Sequence, residues 1–219
     1  MSSIIEFQNV SFSYKNQSGA SASLYNGLSF QIERGTMTTI IGSSGSGKST
    51  LLNLMAGFLR PQKGTVTVEG KVVSQMTPDE ACHYRNETIG FIYQAFNLLP
   101  EITAQQNVML PLMIAKKTDP MKKSEEVMRS LGIAEKADSL PTKMSGGEQQ
   151  RTAIARAIVN DAPIILADEP TGNLDQENAD AVKRILKDLT GRGKTVVVVS
   201  HDLTFSEISD HVINVNELK

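Results

Sequence analysis

The sequence has little that would tie it to an oxidising compartment, a membrane interior or a polyanion. Across 219 residues there is one cysteine, Cys82, so no internal disulfide can form. The ordinary place for such a thiol is a partly buried site, as a small packing side chain. No apolar run approaches the roughly 20 residues that span a bilayer. The longest, such as 196–199, are only strand-sized. Residues 1–9 mix polar and apolar types, without the basic start and apolar stretch of a signal peptide. Lysine plus arginine (22) nearly cancels aspartate plus glutamate (24), and the net charge of −2 offers no excess for a phosphate backbone. No nucleic-acid partner is expected. Neither internal repeats nor low-complexity segments occur. The chain is expected to be soluble and cytoplasmic, and any membrane step it serves needs another protein.

What is present is an alternation of strand and helix patterns. Residues 4–10 and 28–32 read as strands, and 37–41 is a β-branched run that ends at Gly42. A helix is expected over 48–59, stopped by Pro61, and a strand over 64–70. The middle turns helical. Thr103 with Gln106 fits a capping box, Asp119 followed by Pro120 fits a helix start, and residues 103–115, 120–131 and 145–160 carry helical spacing. The charged segment 116–123 is expected as a surface loop. Apolar strands at 164–167 and 195–200, with a helix over 176–189 between them, suggest a parallel βαβ unit. A last strand-like run lies at 212–215, and no regulatory C-terminal domain is expected after it.

Two stretches carry chemistry. The first is Gly42, Ser43, Ser44, Gly45, Ser46, Gly47, Lys48, Ser49 and Thr50, which fits G-x-x-x-x-G-K-[ST] between a strand and a helix. Crowded phosphates need backbone N–H groups brought close, which the glycines allow. The helix that begins near Lys48 turns its positive end to them. Lys48 can reach the β- and γ-phosphates, and Ser49 can place its hydroxyl on Mg²⁺. The second stretch is the apolar strand 164–167, which ends in Asp168 and Glu169. Two carboxylates on a buried strand are costly unless they meet a cation or donors. Asp168 suits the Mg²⁺ shell, and Glu169 can orient or deprotonate a water that attacks the γ-phosphate. The other strand ends at Ser200 and His201. If the two strands are parallel neighbours, their ends share one ligand-binding edge and His201 sits near the γ-phosphate.

A further marker narrows the family. Ser145, Gly146, Gly147, Glu148 and Gln149 follow Met144 and precede Gln150 and Arg151. A capping box alone would use Ser145 and Glu148 and would not need two glycines, each costing roughly 1 kcal/mol in a helix. Bare N–H groups that approach a phosphate would need them. The stretch resembles the signature motif of ABC ATPases, usually written LSGGQ, with Met144 for leucine and Glu148 for glutamine. Tyr14 lies where that family has an aromatic stacked on adenine. Gln94 resembles the glutamine that touches Mg²⁺ and senses the transporter, Asp175 ends a D-loop-like stretch, and His201 resembles the switch histidine.

The resemblance implies an α/β, RecA-like P-loop NTPase core with an N-terminal antiparallel β subdomain and an inserted α-helical subdomain. As a single nucleotide-binding domain over 1–219, residues 1–94 and 160–219 would form the core and about 95–159 the helical part. It further implies that ATP and Mg²⁺ are bound and that two copies pair head to tail. ATP on Lys48 of one copy is then covered by Ser145, Gly146, Gly147 and Glu148 of the other. Integral-membrane permease subunits would be contacted near Gln94 and the segment after it, which places the chain at the cytoplasmic side of a cell membrane. Residues 166–175, 91–100 and 148–151 look most like the lipoprotein-releasing and macrolide-exporting group. ATPases of polar amino-acid importers and of cell-division complexes are the nearest rivals. DNA-clamping and ribosome-acting relatives carry a long coiled coil or two such domains in one chain. A regulatory module without turnover would need a damaged site, and Lys48, Asp168, Glu169 and His201 are all intact.

Overall fold

Period-two alternation decides which side of each strand is buried, and here both sides of the central sheet are. The computed structural model describes residues 2–15 and 21–218, so Met1 and Lys219, the ends of the expected domain, lie outside the described residues. Strand β3 (Met37–Ile41) lies between β8 (Thr195–Val199) and β9 (His211–Asn214). β7 (Ile164–Asp168) and β6 (Ile89–Ile92) complete a parallel sheet ordered β6-β7-β8-β3-β9. Ile164, Leu166, Val197 and Val199 enter one core and Ile165, Ala167, Val196 and Val198 the other. All five residues of β8 are buried, and each apolar side chain so removed from water contributes roughly 1.5–3 kcal/mol.

The first core is closed by an antiparallel sheet ordered β2-β1-β4-β5, from β1 (Ser3–Lys15), β2 (Ser21–Glu33), β4 (Lys63–Val68) and β5 (Lys71–Val72). Phe7 pairs with Phe30 on one side and Val66 on the other, and the two phenylalanine rings stack at 4.5 Å. Helix α1 (Lys48–Met55) is sandwiched between the two sheets. The second core is covered by α5 (Gly146–Ile158), α6 (Gln176–Gly191) and Phe205 of α7 (Thr204–Ile208). Beyond it, α3 (Ala104–Ile114), α4 (Pro120–Ser130) and α5 enclose a third core around Val108, Leu112, Met128 and Ala155.

The parallel βαβ unit β7–α6–β8 stands as expected, with Asp168 beside Val199. The capping boxes at Thr103 and Ser145 are both closed. Other expectations need correction. α1 stops at Met55, well before Pro61, because Gly57 turns left-handed and Phe58 N–H bonds back to Asn53 O at 2.9 Å. Asp119 precedes α4 but is itself left-handed at φ 53° and caps nothing. Pro120 already belongs to the helix, so only 116–119 of the expected loop is non-helical. Cys82 is exposed. It lies on α2 (Pro78–Thr88), where Ala81 and Tyr84 take the inward face. Neither α2 nor β6 was foreseen, although Thr77 and Glu80 close a capping box ahead of α2.

One ion pair fastens the end of β8. Lys183, on α6 and 9% exposed, meets Asp202 at 2.9 Å, and Asp202 also accepts bonds from the Thr204 N–H and hydroxyl. Burial raises the Asp202 carboxyl, but the Thr204 bonds and the Lys183 charge outweigh it and hold the group at about 2. A depressed carboxylate stabilises the fold above its unfolded value near 3.8 and loses that contribution as pH falls towards 2. Thermal unfolding of Asp202→Asn is therefore expected to fall below the parent above pH 4, with the two curves converging near pH 2.

Candidate functional site

Three strand ends meet along one edge of the parallel sheet. β3 leads into the loop 42–47, β7 ends in Asp168, and β8 is followed by Ser200 and His201. Val199 pairs with Ile40 on one side and Asp168 on the other, which brings the loop, the acids and the histidine to the same level.

In the loop, Gly45 and Gly47 adopt left-handed backbones, at φ 74° and 103°. Gly47 is the residue before α1, and no side chain caps that helix. In α2, α3, α5 and α6 a Thr, Ser or Asp oxygen fills the equivalent place. The first N–H groups of α1 are thus left for an anionic ligand. Lys48 Nζ folds back on Gly42 O at 3.0 Å and Ser43 O at 3.1 Å. Ser43 and Ser44 are exposed, whereas Ser46 is buried with its hydroxyl unpartnered. Tyr25, which the sequence reading missed, donates its hydroxyl to Gly47 O at 2.7 Å. Burial raises the phenol's pKa, and Tyr14 adds to the effect, so Tyr25 stays a donor. Tyr14 stands at the outer side of the same helix, half-exposed, with its hydroxyl 3.0 Å from that of Thr50.

Facing the loop, Ser49 Oγ donates to Asp168 Oδ1 at 2.9 Å. Burial pushes the Asp168 carboxyl up and Glu169 adds to that, while Ser49 and Lys48 oppose it. Such a carboxylate gains from any added positive charge. Glu169 has a left-handed backbone at φ 45°, and its N–H bonds to Val199 O at 2.8 Å. A non-glycine residue in this region costs of order 1–3 kcal/mol and is held there by its surroundings. Its Oε2 lies 2.9 Å from His201 Nδ1, accepts from the His201 N–H at 3.3 Å and from Ser200 Oγ at 3.2 Å. His201 itself is exposed to solvent along most of its ring. The structure therefore brings Lys48, Ser49, Asp168, Glu169 and His201 to one edge, as the sequence reading expected.

The stretch that begins at Ser145 lies elsewhere. Ser145 Oγ accepts from the Glu148 N–H, and the Glu148 carboxylate accepts from the Ser145 N–H at 2.8 Å. That backbone bond, with Lys136 3.1 Å away, holds the Glu148 carboxyl below its usual value. Among the described residues, no hydrogen bond or ion pair joins 145–148 to the phosphate loop. The turn instead packs on the segment after Glu169. Gly146 approaches Asn173 O, and the buried Gln150 Nε2 donates to Pro170 O at 2.6 Å. Asp175 caps α6 through Asn178 N–H at 2.9 Å, and that bond lowers its carboxyl pKa. Asn178 Oδ1 in turn accepts from Arg151 at 3.0 Å. A β-carbon on Gly147 would lie 2.0 Å from this Asn178 oxygen. Gly147→Ala is accordingly expected to displace Asn178 and lower ATP turnover at least ~10-fold, with nucleotide affinity of the single copy unchanged in a fluorescent-nucleotide titration.

Gln94 lies beside the same segment. Its carbonyl accepts from Asn173 Nδ2 at 2.9 Å, and its amide nitrogen would lie 3.1 Å from a β-carbon on Gly172. The turn after it is strained, with Phe96 and Asn97 at φ 60° and 51°, and Arg156 holds both carbonyls, at 2.7 and 2.5 Å. The contacts of Gln150, Arg151, Asn173, Asn178 and Arg156 were not read from the sequence, because the partners that fix them lie 20 or more residues away along the chain.

A glycine-rich loop on an uncapped helix, opposed by an acidic strand end in a parallel sheet, defines a P-loop ATPase. The model of the ABC transporter family matches residues 25–172, and the chain belongs to that family. It is 44% identical over 189 residues to the lipoprotein-releasing system ATP-binding protein LolD of Saccharophagus degradans, which covers 85% of this chain and 83% of that protein. It is 40% identical over 221 residues to the macrolide export ATP-binding/permease protein MacB of Salmonella typhimurium, covering 100% of this chain but only 34% of that protein. The chain thus spans about a third of the MacB relatives it matches. Among solved structures, the dimeric post-hydrolysis state of the ATP-binding cassette MJ0796 bound to ADP and Pi matches with TM-score 0.89. The identity there is 36%, over 96% of this chain and 93% of that one. A second dimeric structure of MJ0796 matches at the same TM-score with 35% identity. The chain is an ATP-binding and hydrolysing subunit of the ABC transporter class, and no described helix is long and apolar enough to cross a membrane.

Proposed function

We propose that two copies of this chain pair head to tail around ATP and drive a bacterial membrane complex of the lipoprotein-releasing or macrolide- and peptide-exporting kind. The observation that carries this reading is the layout of the two half-sites. Lys48, Ser49, Asp168, Glu169 and His201 share one sheet edge, while the Ser145 turn is committed to the 170–178 segment of its own chain. The open phosphate loop of one copy is then completed by Ser145, Gly146, Gly147 and Glu148 of the other, and Asp175 lies beside the joint. In this reading residues 1–219 form one nucleotide-binding domain with a helical part at about 95–159.

The chemistry follows from positions. The N–H groups of 43–50 and Lys48 cradle the phosphates, Tyr14 supplies a ring for the base, Glu169 orients the attacking water and His201 steadies the terminal phosphate. The hydroxyl of Ser49, the amide oxygen of Gln94 and the carboxylate of Asp168 are hard oxygen donors suited to Mg²⁺. Burial of Asp168 favours a cation beside it. When bound, Mg²⁺ neutralises phosphate charge.

A groove of about 530 Å³ supports the membrane partner. It runs between α2 and α3, lined by Phe58, Arg85, Phe91, Tyr93, Leu110 and Ile114 among others. Phe58 is 48% exposed, with the Arg85 guanidinium 4.7 Å above its ring. The groove adjoins the segment after Gln94, so a cytoplasmic element of a permease seated there would move with the site. The chain then works at the cytoplasmic face. The test is purification of the tagged chain from bacterial membranes with its partner identified. The reading expects a permease with a large periplasmic part. An importer permease that works with a solute-binding protein would overturn it.

A further inference from the structure

The charged segment 116–123 takes no part in the site, yet it is the most unusual corner of the surface. It joins the end of α3 to the start of α4. Lys116, Lys117, Lys122 and Lys123 are all exposed, and Asp119 is the one acid among them. Among the described residues, none of the four lysines has a carboxylate within 4.0 Å. Between and beside them stand Met113, Ile114 and Met121, exposed at 58%, 71% and 52%. Ile114 is the most exposed large apolar side chain among the described residues. Glu125 and Glu126 follow on α4, so 116–126 keeps an excess of one positive charge, against −2 for the whole chain.

Lysines without an ion-pair partner, interleaved with bare aliphatic side chains, match one surface well. Anionic lipid headgroups attract the ammonium groups, and the acyl boundary beneath them receives the apolar side chains. Acidic protein surfaces satisfy lysines but give Met113, Ile114 and Met121 nothing to enter. Continuity points the same way, because Ile114 also lines the groove beside Phe58 and Leu110. A permease seated in that groove brings the bilayer surface to the α3–α4 corner.

We propose that this corner is a contact for anionic phospholipid headgroups, set at the lip of the permease groove. Its placement rests on the permease reading above, but the lipid contact itself can be measured without any permease. The experiment is co-sedimentation of the full chain with vesicles of phosphatidylglycerol and phosphatidylcholine, against pure phosphatidylcholine, at millimolar lipid and at two salt concentrations. Binding is expected to the anionic vesicles alone and to weaken with salt. Changing all four lysines to glutamine is expected to lower partitioning by nearly three orders of magnitude, since each contributes about five-fold near an anionic surface. A second variant, M113S/M121S, keeps the charges and the groove-lining Ile114 and is expected to lose most of the salt-resistant remainder. Unchanged melting temperature and ATP turnover keep misfolding from counting as loss. Equal binding to both vesicle types, no binding, or undiminished binding by the lysine variant overturns the proposal. So does a lysine variant that loses the permease in detergent, since the patch would then dock protein. A permease absent from the groove with vesicle binding intact overturns the groove reading and leaves the lipid contact standing.

Discussion

Glu169→Gln is expected to lower ATP turnover by 10²–10⁴-fold while leaving ATP bound, and to hold two copies together for as long as the γ-phosphate stays. The expectation follows from how the residue is fixed. Its left-handed backbone and the bond from its N–H to Val199 O aim the side chain across the ends of β7 and β8. There Oε2 collects the Ser200 hydroxyl and the His201 backbone and ring nitrogens. Glutamine fills the same volume and keeps an acceptor, so binding geometry survives, but it has neither the charge nor the basicity to activate a water. Size-exclusion chromatography with ATP should show a dimer for the variant and mostly monomer for the parent once ATP is spent. Turnover equal to the parent would remove Glu169 from its role.

Lys48→Ala has the next largest expected effect. Alanine is a good helix residue, and the Lys48 bonds in this structure go only to Gly42 O and Ser43 O, so the fold should persist. What is lost is the one mobile cation of the phosphate loop. Two charge-assisted bonds to phosphate oxygens are worth about 3–4 kcal/mol together, which is about a 10²–10³-fold loss of ATP affinity. Isothermal titration on the variant checks this directly. Affinity within a few-fold of the parent would mean that the loop N–H groups carry the phosphates without Lys48.

The parts of the molecule legible in the sequence were those set by near neighbours. The phosphate loop is one strand, one glycine-rich turn and one helix in succession, and the capping boxes at Thr103 and Ser145 span a single turn each. The buried strands β7 and β8 announced themselves by β-branched runs, and Asp168 and Glu169 by following one. Other features depend on residues distant in sequence. Strand β6 is only four residues long and is defined by pairing with β7, and Cys82 is exposed because Ala81 and Tyr84 claim the inward face of α2. The link from Gln150 to Pro170, which ties the Ser145 helix to the segment behind Glu169, joins two stretches that separate elements place side by side. No local pattern encodes it. The groove beside Phe58 likewise exists only once α2 and α3 are packed.

The central claim is that each ATP site is shared between two copies, and cross-linking tests it most directly. In a Cys82→Ser background, which removes the sole native thiol, cysteines are placed at Ser44 in the phosphate loop and at Ser145. With Glu169→Gln and ATP, the account predicts a disulfide between copies that converts most of the protein to a covalent dimer, and none without nucleotide or in either single-cysteine control. Failure of Ser44→Cys and Ser145→Cys to join across copies in an ATP-bound dimer, or their joining within one chain, would contradict it.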